Sequence, residues 1–155
     1  MKRLLLALAL LGCLALCACA SPQARAYRDD DVIAQAEDVY NIHTWRSSVA
    51  EDTLDCAMNS AVGTLTVWRM DAADTASVRV ACELTVRSGK AKLVHIAPDG
   101  TVATLLEVSP NAPVNDSVLT LTALPGENRV KLVMAEGTSL DMTLHFDAGQ
   151  LCDAV

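Results

Sequence analysis

Residues 78–87 read VRVACELTVR, a stretch in which large apolar side chains occupy every second position. A period of two is typical of a β-strand that buries one face and exposes the other to solvent. Cys82 lies on the apolar side of this pattern, so we expect it to be a small buried residue. The stretch therefore predicts the clearest strand of the chain.

Two turns on the C-terminal side of this strand predict a meander of three strands. Ser88-Gly89 is a two-residue turn into a strand over 90–97, and Pro98-Asp99-Gly100 leads into a strand over 101–108. Four further strands are predicted over residues 63–70, 118–123, 128–134 and 139–146.

The turns between the later strands complete the fold prediction. A Pro- and Asn-containing loop covers residues 109–116, and the last three strands are separated by Pro125-Gly126-Glu127 and by Glu136-Gly137. Seven short strands at spacings of about 8–12 residues are typical of a sandwich or a small barrel. We predict an all-β fold, an antiparallel β-sandwich of about seven strands preceded by a short N-terminal helix.

The N-terminal half is less regular. Apolar residues between Asp29 and about His43 follow one helical face, which predicts the short helix. Residues 44–62 show no clear period and are predicted to be irregular, with a short strand near 54–58. Residues 19–31 are small and polar and are predicted to be a flexible tether, so the folded domain would cover 32–155.

Composition excludes some functions. The chain carries 12 Lys and Arg against 19 Asp and Glu, a formal net charge of −7, and only 3% of its residues are aromatic. An acidic surface repels phosphate backbones, and few aromatic rings are available to stack on bases, so nucleic acid is not an expected partner.

The first residues form an export signal. Lys2 and Arg3 precede an apolar run of about a dozen residues, which is too short to span a bilayer as a helix. Leu16-Cys17-Ala18-Cys19 resembles the processing box of bacterial lipoproteins, with Leu at −3, a small residue at −1 and Cys at +1. Leu10-Leu11-Gly12-Cys13 also fits this box, and Ala18-Cys19-Ala20 fits the A-x-A pattern of secretion without lipid.

The resemblance to lipoproteins implies a cellular location. Residues 1–18 would be the signal peptide, and Cys19, or alternatively Cys13, would carry the acyl chains that hold the protein to a membrane. The protein is then expected to be extracytoplasmic, on the cell membrane or on an outer membrane. The body over about 40–147 resembles small exported bacterial lipoproteins, a likeness that supports the fold and implies no catalytic residues.

Three cysteines, Cys56, Cys82 and Cys152, remain in the body, and export allows disulfides to persist. With Cys82 assigned to the core, Cys56 with Cys152 is the candidate disulfide, and free thiols are the alternative. The cysteine spacing matches no metal-binding pattern, and no cofactor is expected.

The sequence offers little chemistry beyond this. His43, His95 and His145 are far apart and no nucleophile motif accompanies them, so no catalytic residue is predicted. Trp45 and Trp68 are candidate partner contacts, or else core residues. The preferred function is a non-enzymatic module that binds an envelope protein or a cell-wall component. The alternatives are an inhibitor of a basic lytic enzyme, with clustered carboxylates, and an enzyme.

Overall fold

A computed structural model describes residues 21–153 of the chain. Two short helices come first, α1 (Pro22–Ala26) and α2 (Asp30–Ala34). The strands are β1 (Tyr40–Ala50), β2 (Thr53–Ala72), β3 (Ala76–Ser88), β4 (Ala91–Ile96), β5 (Val102–Val108), β6 (Val114–Ala123), β7 (Gly126–Phe146) and β8 (Gln150–Leu151). The predicted signal peptide and both candidate lipid-attachment residues, Cys13 and Cys19, lie outside the described residues.

Two long antiparallel strands, β2 and β7, run through both layers of the domain. Residues 53–61 of β2 pair with 138–145 of β7, and residues 63–72 pair with 126–134. Between these two regions the register shifts at Ala61, and Gly63 has a φ of 113°. We call this bend, residues 59–63 with 134–138, the corner.

The corner divides one folded sheet into two layers. In the first layer the order is β1, the start of β2, the end of β7, β3 and β6. In the second layer β8, the end of β2, the start of β7, β4 and β5 lie side by side. Every pairing is antiparallel, and the apolar side chains of both layers meet in one core cluster. The predicted all-β sandwich with a helical N-terminus is confirmed.

The predicted break at Glu136-Gly137 is wrong, because β7 continues through it as a single strand, Gly126–Phe146. Gly137 has a φ of 74°, and the buried Thr138 Oγ1 accepts from Lys90 N–H and lies 2.6 Å from the Ala135 carbonyl oxygen and 2.9 Å from that of Lys90, so its one proton can be donated to either. These bonds satisfy backbone groups that the bend takes out of the ladder. The residues that resembled a turn therefore form a bend within the strand.

The predicted irregular stretch is also wrong, since residues 44–62 lie in β1 and β2. The two strands form a hairpin whose turn is Glu51-Asp52, with Glu51 at a φ of 55°. β1 pairs with β2 alone and is exposed along most of its length. In an edge strand that is exposed to solvent on both faces, apolar and polar residues need not alternate. This explains why the sequence shows no period of two there.

The helix predicted from Asp29 to about His43 ends at Ala34, and Tyr40 already begins β1. The predicted flexible tether is wrong from Ser21 onward. The Ser21 hydroxyl caps α1 by accepting from Ala24 N–H at 3.3 Å, and Ala26 and Tyr27 are 0% and 8% exposed. The folded domain therefore includes residues that were assigned to the tether.

The helices cover the outer face of the second layer. A second apolar cluster joins Tyr27, Ile33, Val94, Ile96 and Val133 there. Buried cationic side chains of β7 also bind the chain at and beyond the end of α2 through hydrogen bonds to its carbonyl groups.

The Arg129 guanidinium donates to the carbonyls of Ala34 and Gln35, and the Lys131 ammonium donates to those of Gln35 and Glu37. Lys131 also pairs with Asp38 at 3.0 Å. Carbonyls at a helix C-terminus lack partners within the helix, and cations satisfy them well. Among residues 21–153, no helix is long and apolar enough to cross a bilayer.

Candidate functional site

The outer face of the first layer carries rows of side chains that the strand register sets side by side. Three rows cross it: Arg46, Ala57, Asp141 and Thr85; Ser48, Asp55, Thr143 and Glu83; and Thr53, His145, Ala81 and Val118. On β2, β7 and β3 these residues alternate with core residues such as Met58 and Met142, and their partners on the edge strands point to the same side, so the rows face away from the core.

Two alanines create hollows in this face. Ala57 lies between the longer side chains of Arg46, Asp55, Asn59 and Asp141, and two adjoining hollows of about 250 and 370 Å³ include it. A third hollow of about 360 Å³ includes Ala81. A methyl group leaves space where its neighbours project outward; the first two hollows share Arg46, Ala57 and Asp141, and Thr143 borders both the third hollow and the smaller of these two. We call the depression made up of these three hollows the trough.

Polar groups near one end of the trough are held in place by each other. Arg87 pairs with Asp141, and its Nη2 donates to Asn59 Oδ1 at 3.0 Å and to the Met58 carbonyl at 3.2 Å. Asn59 Nδ2 in turn donates to Thr44 Oγ1 at 3.1 Å. A network of planar groups with several contacts each is pre-organised, so a ligand would lose little entropy in ordering it.

The middle of the trough combines a fixed carboxylate with a cation that has no ion-pair partner. Thr143 Oγ1 donates to Asp55 Oδ1 at 2.7 Å, which orients that carboxylate. Arg46 forms no salt bridge with any described residue, and it borders both hollows at Ala57. Its donors are therefore available to a ligand.

The two tryptophans have different positions. Trp45 lies on β1 and is 49% exposed, but it pairs with the core residue Met58, so its side chain lies on the face of β1 opposite to that of Arg46 and the trough. Trp68 is fully buried, stacks on Phe146 at 5.1 Å and donates from Nε1 to the Ala148 carbonyl at 2.7 Å. Trp68 as a partner contact is therefore wrong, because both its ring and its polar atom are used inside the fold. Trp45 as a partner contact stays a prediction.

The histidines do not assemble a catalytic relay among the described residues. His145 is exposed, and its Nδ1 lies 3.5 Å from both Asp52 and Thr53. A hydrolytic relay needs the carboxylate and the hydroxyl on opposite ring nitrogens, whereas here they share one. His95 is buried, and its Nε2 lies 3.1 Å from Asn128 Oδ1, so its role is structural.

The three body cysteines carry free thiols, so the predicted Cys56–Cys152 disulfide is not formed in this structure. Cys56 and Cys82 are in the core cluster, whereas the Cys152 thiol lies beside Arg69 and Asp38 near the chain that covers the second layer. Burial raises the pKa of the Cys56 thiol to about 11, and the Asp153 carboxylate adds to this shift. The Cys56 thiol is consequently a poor nucleophile at neutral pH.

The acidic groups do not gather on one loop. Glu51 and Asp52 form the β1–β2 turn, while Asp29 to Asp31 lie at the start of α2. Among residues 21–153, no three His, Cys, Asp or Glu side chains come together closely enough to hold a metal ion.

Sequence reasoning missed most of the trough. Asp141 and Arg87 were visible only as members of the polar face of their strands, and Asn59, Ala57 and Arg46 fell in the stretch without a period. The signal that would have found them is the Glu51-Asp52 turn, since a hairpin there brings β1 alongside β2.

Solved structures with a similar fold include carbohydrate-binding modules. One is a family 29 module in complex with mannohexaose, with a TM-score of 0.40 and 12% identity over 72% of this chain and 93% of that chain. Another family 29 module has a TM-score of 0.42 and 13% identity over 71% of this chain and 77% of that chain. A family 4 module has a TM-score of 0.36 and 7% identity over 74% of this chain and 77% of that chain.

No protein-family model matches the chain, and no curated protein is significantly similar to it in sequence. At identities of 13% and below and TM-scores near 0.4, the likeness to these modules is distant. The sugars that they bind are a property of those modules.

Proposed function

We propose that this protein is an extracytoplasmic lipoprotein, attached by lipid at Cys19, whose β-sandwich binds a saccharide component of the cell envelope in the trough. The observation that carries the proposal is the trough itself: a pre-organised polar depression over two alanines. The role is binding rather than catalysis.

The chemistry of the trough suits a neutral, polyhydroxylated ligand. Adjacent hydroxyl groups on a sugar each donate and accept, so carboxylate, amide and guanidinium groups can bond two of them at once. Asp55, Asp141, Asn59, Arg46 and Arg87 supply all three types around Ala57. Acidic and basic groups are mixed there, so neither a strongly anionic nor a strongly cationic ligand is favoured.

The dimensions of the trough suit a chain rather than a single ring. It crosses five strands, from β1 to β6, and neighbouring strands lie about 4.8 Å apart, which gives a length of roughly 19 Å. An oligosaccharide of several units fits such a surface, whereas a small metabolite would fill only one hollow.

The binding test uses the purified domain, insoluble cell-wall material and soluble neutral oligosaccharides, with affinity measured by co-sedimentation and calorimetry. Ala57→Leu fills the two hollows at the centre and is expected to weaken binding by about tenfold or more, which corresponds to 1.4 kcal/mol. The matched control is Ala103→Leu, at an exposed alanine of β5 in the other layer.

Equal affinities for wild type and Ala57→Leu would place any saccharide site elsewhere and contradict the proposal. Failure of the wild type to bind any of the saccharides would contradict it as well. Unchanged binding by Ala103→Leu, with loss in Ala57→Leu, would support it.

The anchor is tested separately by intact mass measurement on membrane fractions from cells that express the wild type or Cys19→Ala. The expected mass is that of a chain cleaved before Cys19 with lipid added, and the variant should lose the lipid. An unlipidated wild-type chain in the medium would refute the anchor without affecting the saccharide site.

A further inference from the structure

The folded part of the protein begins almost immediately after the proposed anchor. Ser21 already caps α1, and α1 carries the buried Ala26 and Tyr27 against the sandwich. The Tyr27 hydroxyl donates to Glu107 at 2.9 Å, and the ammonium groups of Lys90 and Lys92 lie 4.8 and 5.3 Å from the centre of its ring. Tyr27 is thereby fixed to β4 and β5, and α1 is not free to act as a linker.

The distance from the anchor to this folded part is short. A chain spans at most about 3.6 Å per residue, so Ser21 lies no more than roughly 7 Å from the Cys19 Cα. Adding the step to Pro22, the rise of α1 and two further residues places Arg28 within roughly 24 Å of the same atom. A lipid on Cys19 would therefore hold α1 against the membrane surface.

On the basis of this proposed anchor, we propose that α1, α2 and the cleft beside them form a surface that rests on zwitterionic lipid headgroups. We call it the helix face. The cleft has a volume of about 620 Å³ and lies between the helices and the corner, where Lys90 and Glu136 border it.

The cleft is more nearly neutral than the protein as a whole, so its charges fit a zwitterionic membrane better than the overall charge of the protein does. Three basic groups, Arg25, Arg28 and Lys90, and four acidic groups, Asp29 to Asp31 and Glu136, line it, a net charge of −1. Residues 19–155 together carry −9. A headgroup with a phosphate and an ammonium group finds both opposite charges in the cleft, whereas most of the remaining surface is acidic and repels phosphate.

This orientation also determines where the trough points. The helices lie on the outer face of the second layer, and the trough is on the outer face of the first. Layers packed face to face are about 10 Å apart and a helix is about 10 Å across, so the trough would lie roughly 20 Å or more beyond the helices. With the helix face on the membrane, the trough faces outward to the envelope.

The test measures trypsin cleavage after Arg28, an exposed residue in the turn between α1 and α2. The lipidated chain is reconstituted in vesicles of phosphatidylethanolamine and phosphatidylcholine, and release of the body that begins at Asp29 is followed by mass spectrometry. The matched variant carries a 20-residue Gly-Ser insertion between Ala20 and Ser21, whose mean reach is roughly 25 Å. Arg28→Gln removes the cleavage site and identifies the fragment.

A protease of about 200 residues has a radius of gyration of roughly 16 Å and cannot enter the gap beneath the wild-type domain. We expect the insertion variant to be cleaved about tenfold faster than the wild type on the same vesicles, because cleavage follows the fraction of time that the site is accessible. Equal cleavage rates on vesicles would overturn the helix face while leaving the anchor intact. A wild-type chain that carries no lipid overturns both, and the mass measurement distinguishes the two results.

Discussion

Replacing Lys131 by methionine should detach the N-terminal segment from the sandwich. The Lys131 side chain is fully buried, pairs with Asp38 at 3.0 Å and donates to the carbonyls of Gln35 and Glu37. Methionine keeps most of the volume of the stem but supplies no charge and no donor. The variant therefore leaves the Asp38 carboxylate and the Glu37 carbonyl without their cation, while the Gln35 carbonyl keeps its bond from Arg129.

The magnitude follows from what remains on Asp38. Removing one partner of a buried ion pair costs about 3–5 kcal/mol. Asp38 is 19% exposed and still accepts from the N–H and the hydroxyl of Thr66, so the lower end of that range applies. We expect a loss of about 3 kcal/mol in the free energy of unfolding, which lowers the urea midpoint by about 1–2 M.

Urea unfolding followed by tryptophan fluorescence is a suitable assay, because Trp68 is in the core. The double variant Lys131→Met with Asp38→Asn provides the cycle, and it should recover part of the loss because the carboxylate is no longer left unpaired. A loss below about 1 kcal/mol in Lys131→Met, or strict additivity in the cycle, would show that the ion pair does not hold the segment and would refute this reasoning.

Three further outcomes are expected. Folding raises the pKa of the Cys56 thiol from 9.0 to about 11, so its contribution to stability is fully present below pH 9 and falls as the pH rises towards 11. Between pH 8 and 10 the free energy of unfolding of the wild type should therefore fall by about 1 kcal/mol more than that of Cys56→Ala. Equal losses in pH-dependent unfolding would contradict the raised pKa. In the same assay, Gly63→Ala should lower the free energy of unfolding by about 3 kcal/mol or more, because the added Cβ would lie 1.9 Å from the Val39 carbonyl oxygen at a φ of 113°. The control Gly137→Ala meets nothing within 4 Å and should lower it by only about 1–2 kcal/mol. Equal losses would mean that the corner can open. A maleimide reagent should label Cys152, which is only partly buried, well before the core cysteine Cys56, and simultaneous labelling would show that the core opens as readily as the surface.

The sequence predicts this fold best where one face of a strand is exposed to solvent and the other is buried. Strand β3 (Ala76–Ser88) alternates buried and exposed residues from Val78 to Val86, and Cys82 is 3% exposed as expected. Residues 128–134 of β7 are buried on both faces, between the core and the N-terminal segment. Their alternation is therefore hidden, and only their β-branched and apolar composition indicated a strand.

The candidate site was harder to predict because it depends on register. A trough residue such as Ala57 matters only through the neighbours that pairing places beside it, Arg46 on one side and Asp141 on the other. These three residues are far apart in the chain, and no local pattern relates them. The N-terminal segment was misread for a related reason, since its small polar residues are ordered by a buried tyrosine and by cations that lie about 95 residues later.

The bent strands that serve both layers have a consequence for how the chain acquires its structure. Thr53 pairs with His145, 92 residues away, and the same two strands stay paired as far as Ala72 and Gly126. Neither layer can be completed until β7, in the last third of the chain, has paired with β2. Closing so large a loop costs conformational entropy before the stabilising contacts between the strands can form. Folding should therefore be concerted and slow, in the millisecond-to-second range or slower. A chain truncated before β7 would leave β2 without its main partner and could form neither layer.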